Sequence, residues 1–104
     1  MKPRPENWPE LLAVHFAEWS AYPFAYGSRD CVHFAAAWLE RLGYPDPLSG
    51  LPNWSSPLSA ARLWKSLGGF EHGIGAQLGA LGCQHISPAK AMRVDLVLVR
   101  YWPL

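Results

Sequence analysis

Apolar and polar positions keep a helical rhythm along most of the 104 residues and change only near the end. Leu11, Leu12, His15, Phe16 and Trp19 recur at three- and four-residue spacing, which predicts a helix over 8–20. Asn7 stands at its N-cap with Glu10 three residues later, the spacing of a capping box. Residues 21–28, "AYPFAYGS", read as a loop broken by Pro23 and Gly27. A second helix follows at once. Asp30 is a good N-cap, Phe34, Ala35, Trp38, Leu39 and Leu42 share one face, and Gly43 closes it.

The next stretch, 44–56, carries three prolines and reads as irregular. Ser56-Pro57 then opens a third helix, with Pro at its first position. Leu58, Ala61, Trp64 and Leu67 form its apolar side, and Gly68-Gly69 stop it. Ile74, Leu78 and Leu81 predict a fourth helix, weakened by Gly73, Gly75 and Gly79. Near the end the rhythm changes. Leu96-Val97-Leu98-Val99 is wholly apolar and predicts a strand, and Cys83–Ile86 a short strand before it. A terminal strand with open edges needs a partner. Cys83–Ile86, a second chain adding to the edge, or a segment missing from this chain supplies it.

Composition narrows the class. Half the residues are hydrophobic and 16% are charged, which excludes a disordered chain. One domain over 1–104 is expected, burying roughly 65% of its unfolded surface. The net charge is +1 and the nine basic residues are scattered, so nucleic acid is not expected as a partner. No apolar run has the length of a membrane span. The segment "MKPRPENWPE" lacks the apolar core of a signal peptide, which implies synthesis and retention in the cytoplasm. Six Trp in so short a chain either fill a small core or make contact surfaces. The chain has no CxxC, HxxxH or HExxH motif, so neither a metal nor a cofactor is expected.

The candidate chemistry lies in "YGSRDCVHF", Tyr26 to Phe34. Cys31 falls at the first turn of the second helix, where unpaired N–H groups and the helix dipole favour negative charge. Such a position suits a thiolate nucleophile when a cation is close, and the same N–H groups suit an oxyanion. Cys83 has no such setting and reads as a small buried hydrophobe.

The frame Phe24-x-Tyr26-Gly27-x-x-Asp30-Cys31-x-x-Phe34, followed by "GYPDP" at 43–47, resembles the NlpC-type papain-like peptidases, nearest to a phage-encoded branch. The resemblance extends to "MRVDLVLV", which is similar to that family's Gly-Asp entry to its central sheet, and covers Trp8 to Val99. It implies an α+β fold, a reduced papain-like domain with three to four helices packed on a small antiparallel sheet. It implies Cys31 as nucleophile, Tyr26 as the loop aromatic beside the thiol, and Asp30 as the residue that caps the helix. The substrate it implies is a cell-wall peptide. The setting it implies is a phage particle: synthesis in the host cytoplasm, with the virion tail as a destination. Two departures stand out. Val94 replaces the family's Gly before Asp95, and Leu104 closes the chain before any match to the family's catalytic histidine, as if the domain were C-terminally shortened.

Four histidines are candidates for that role. His33 lies two residues from Cys31 on one helix and points elsewhere. His15 sits among apolar helix positions. His72 lies in the loop-like third quarter, and His85 just precedes the terminal strand. His85 is the one placed to approach Cys31 across the fold. The alternative is a non-catalytic structural or interaction protein on the same scaffold, a tail-tip component or accessory factor bound through its open strand.

Overall fold

The computed structural model describes residues 4–84, 88–90 and 95–96. It contains four α-helices: α1 Trp8–Ser20, α2 Cys31–Arg41, α3 Pro57–Ser66 and α4 Phe70–Ala80, then a single 3₁₀ turn, Pro88–Lys90. All four predicted helices are present. Asn7 precedes α1 but makes no side-chain cap, so the capping box with Glu10 does not form. Pro9, in the first turn, presets the helical φ instead. Ser56 does cap α3, and its capping box is closed by the Ser59 hydroxyl.

The predicted sheet is absent among the described residues. Their one β-type pairing is an isolated bridge between Ala25 and Arg29 inside a loop. Leu96 is outside any strand and 41% exposed; 97–99 lie outside the described residues. Cys83 and Gln84 are likewise not strand, and 85–86 are not described. Over the described residues the chain is therefore mainly α, not α+β. A short apolar run reports burial, and burial alone does not specify pairing. Here helices and their connecting loops close the described core without a sheet.

Three helices end alike. Gly43, Gly68 and Gly82 adopt positive φ just past α2, α3 and α4. The N–H of the following residue returns to the carbonyl of Leu39, Trp64 or Leu78 at 2.9–3.1 Å. This paired closure satisfies carbonyls that a helix end leaves open.

Two aromatic clusters hold the helices. In the first, α1 lies on α2. His15 is fully buried, its ring 4.6 Å from that of Phe34 and 5.4 Å from that of Trp38, and Trp19 meets Phe34 edge-on. In the second, Trp54 of the long loop meets Trp64 of α3, which meets Phe70 at the start of α4. Such ring pairs contribute about 0.5–1.5 kcal/mol each beyond the area they bury. Gly73 of α4 is buried against Trp64, and a Cβ there would lie 3.0 Å from the indole, so the helix-weakening glycine permits close approach of α3 and α4. The Gln77 amide donates to the carbonyl of buried Pro47 at 2.8 Å and fastens the long loop to α4.

Candidate functional site

Asp30 organises the start of α2. Its carboxylate is 6% exposed and accepts four hydrogen bonds. Oδ1 accepts from the His33 backbone N–H at 2.9 Å, the N-cap bond, and from His33 Nδ1 at 2.7 Å. Oδ2 accepts from the Gly27 N–H at 2.9 Å and from the Trp54 indole N–H at 2.7 Å. A carboxylate has about four lone-pair sites, and all are used here. Burial pushes the Asp30 carboxyl up, but the bonds from His33, Gly27 and Trp54 outweigh it, and its pKa lies below the ordinary aspartate value.

The loop before α2 is shaped for this hub. Ala25 and Arg29 exchange backbone hydrogen bonds at 3.2 and 2.8 Å, folding 25–29 back on itself. Gly27 sits at φ +84°, and a Cβ on it would fall 1.8 Å from the Trp54 carbonyl oxygen. Asn53 donates to the Gly27 carbonyl at 2.9 Å. The 25–30 loop and the 53–54 segment are thus joined by backbone contact and by Asp30. Arg29 lies over the rings of Trp19 and Tyr22, 4.5 and 4.2 Å from their centroids, which anchors the same loop to α1.

Cys31 is the first residue of α2 and is solvent-exposed. Tyr26 is 43% exposed and meets Phe24, 62% exposed, edge-to-face at 4.8 Å. An open aromatic pair therefore precedes the thiol in the loop. His33 turns away from Cys31 to Asp30. Because a carboxylate only accepts, neutral His33 carries its proton on Nδ1 and keeps Nε2 as an acceptor. His15 is committed to the α1–α2 interface. Its Nε2 donates to the Phe34 carbonyl at 3.0 Å and its Nδ1 accepts from Arg41 Nε at 3.2 Å. Burial chiefly lowers the His15 pKa, helped by the Arg41 charge and opposed by Phe34 and Glu18. His72 is exposed on α4, beside Gly68. His85 lies outside the described residues. Cys83 is half-buried, and burial pushes its thiol up against a hydrogen bond with Tyr44.

A cleft of about 340 Å³ lies between α2 and the long loop, with His33 and Trp54 on its wall. Cys31 is not among its lining residues. Asp30 is legible in the sequence as the helix cap, whereas its bonds to the His33 side chain and to Trp54 are not. The Asp30-to-His33 spacing is that of an N-cap to N3 pair and was available as a signal. Trp54, 24 residues on, gave none.

Fold and site together define a small, mainly helical domain with an exposed thiol at a helix start, braced by buried Asp30 and Trp54 and half-buried His33. Over residues 3–101 the chain matches a family described as a domain of unknown function (DUF6950), and it belongs to that family. No curated protein and no solved structure matches it. Among the described residues, no helix is long and apolar enough to cross a membrane.

Proposed function

We propose that this protein is a phage-encoded thiol hydrolase of the NlpC type, acting on an amide bond of a cell-wall peptide with Cys31 as nucleophile. One observation carries the reading: an exposed thiol on the first residue of a helix whose cap and preceding loop are fixed by a fully bonded buried carboxylate. The thiolate attacks the amide carbon. Asp30 already takes the His33 N–H, so the N–H groups of Cys31 and Val32 are the helix-end donors for the oxyanion. The C–N bond breaks, the amine leaves with a proton, and water hydrolyses the thioester. Tyr26 flanks the thiol in the loop, Asp30 holds the helix start in register, and His85 serves as the base. Incubation with cell-wall peptides, read by mass spectrometry, tests this. New amine and carboxyl termini should form with the protein and not with Cys31→Ala. Identical product profiles for both proteins would overturn it.

A second reading is a non-catalytic tail component or accessory factor on this scaffold, bound to a virion protein or to its own copy. It draws support from the commitment of His15 and His33 to bonds away from Cys31. Exposed Phe24 and Tyr26 would then be contact residues. Under this reading Cys31→Ala leaves particle assembly unchanged, while Phe24→Ser with Tyr26→Ser impairs it. Loss of assembly with Cys31→Ala would contradict it.

A further inference from the structure

The four hydrogen bonds to the Asp30 carboxylate differ in where their donors come from. Gly27 and His33 supply three of them and belong to the same short segment as Asp30. Trp54 supplies the fourth from 24 residues away. Its indole is seated independently of that segment. Trp54 is 5% exposed, its ring lies 5.8 Å from that of Trp64 in α3, and Trp64 lies 4.8 Å from Phe70 in α4. The His33 ring packs on the same indole at 4.9 Å. The Trp54 N–H therefore ties the carboxylate to a frame built by α3 and α4, outside the loop and α2 that carry the thiol.

Asp30 is the N-cap of α2, in extended backbone at φ −107° and ψ 176°. Its ψ orients the peptide that carries the Cys31 N–H, and the Val32 N–H follows in the first turn. The carboxylate and these dihedrals are coupled, because one side chain both caps the helix and accepts from Trp54. We propose that Trp54 is a positioning residue for acyl transfer at Cys31: its bond to Asp30 holds the Cys31 and Val32 N–H groups where the oxyanion forms. This inference rests on the thiol-hydrolase reading and gives Trp54 a part in it.

The test uses two reagents on one thiol in the full chain. The ester p-nitrophenyl acetate reports acyl transfer. The Cys31 thiolate attacks the ester carbon, the C–O bond breaks, p-nitrophenolate leaves with the electron pair, and the acetyl group stays on sulfur as a thioester. Iodoacetamide reports the thiol alone, because displacement of iodide builds no oxyanion. Mass spectrometry locates both adducts on Cys31. Trp54→Phe keeps a ring between His33 and Trp64 and deletes the N–H. Acetylation should fall about tenfold or more, as misplaced reacting groups cost, while alkylation stays within about twofold. Asp30→Asn should also slow acetylation, and adding Trp54→Phe to it should slow it little further, since Trp54 acts through that carboxylate. Should Trp54→Phe fail to fold, 3-benzothienylalanine at position 54, with sulfur in place of the N–H, carries the same expectation. Unchanged acetylation, equal losses in both reactions, or additive losses in the double variant would overturn the inference and leave the hydrolase reading standing. A parent protein whose Cys31 is not acetylated would overturn both.

Discussion

The indole nitrogen of Trp54 donates to Oδ2 of Asp30 at 2.7 Å, across 24 residues of sequence. This bond joins the proline-rich loop to the first turn of α2. Asp30→Asn keeps the shape but presents N–H groups where the carboxylate accepted, so buried donors are left unpaired. The substitution should destabilise the fold by about 2–3 kcal/mol, read by urea denaturation. The native Asp30 pKa is lowered, so the unfolded state binds more protons below the ordinary aspartate range. Its stabilisation is present above the unfolded pKa and is lost as pH falls through the folded one. Asp30→Asn should remove that part of the acid limb.

His15 predicts a second pH effect with its own window. Burial holds the folded pKa below the ordinary histidine value of 6.5, so the unfolded chain takes up the proton first as pH falls. This contribution is complete above 6.5 and is lost as pH falls through the folded pKa. Protonation would place a second N–H on Nδ1, against the Arg41 Nε donor. The His15 ring signals should titrate below 6.5, and thermal stability should decline over the same range. A His15 titration at or above 6.5 would contradict the packing described for α1.

Gly27 and Gly50 share φ +84° but differ in surroundings. A Cβ on Gly50 meets nothing within 4 Å, so Gly50→Ala carries only the left-handed penalty of about 1–2 kcal/mol. Gly27→Ala adds a collision with the Trp54 carbonyl, 1.8 Å away, and should cost at least about 2 kcal/mol more. Equal chemical-denaturation midpoints for the two variants would refute the loop-to-loop contact.

The glycines of α4 should respond with opposite signs. Gly75 and Gly79 are open, and Ala at either should stabilise by about 0.5–1 kcal/mol through helix propensity. Gly73→Ala would press on Trp64 and on Leu67 Cβ, each 3.0 Å away. Overpacking of about 1–3 kcal/mol exceeds the propensity gain, so this variant should be less stable than the parent. Thermal melts of the three single variants provide the comparison.

The helices were legible because each carries local chemistry: Asp30 and Ser56 as caps, Pro57 at a first position, Gly43 and Gly68 as stops. The sheet was misread because Leu96–Val99 shows apolarity without a visible pairing partner. The thiol at the helix start was also legible, since it needs only Asp30-Cys31 before a helical pattern. What surrounds Asp30 was not. Trp54 reaches it through a fold-level contact, and Gly27 is required by the approach of the Trp54 backbone as much as by its own loop. Contacts of that range leave no periodic trace in sequence.

The proposed hydrolase requires Cys31 to be a reactive nucleophile rather than an exposed packing residue. Iodoacetamide labelling at neutral pH, with mass spectrometry separating Cys31 from Cys83, tests this. Cys31 should label well ahead of a free small-molecule thiol at equal concentration. A Cys31 that labels no faster than the free thiol, or not at all, would contradict the proposal.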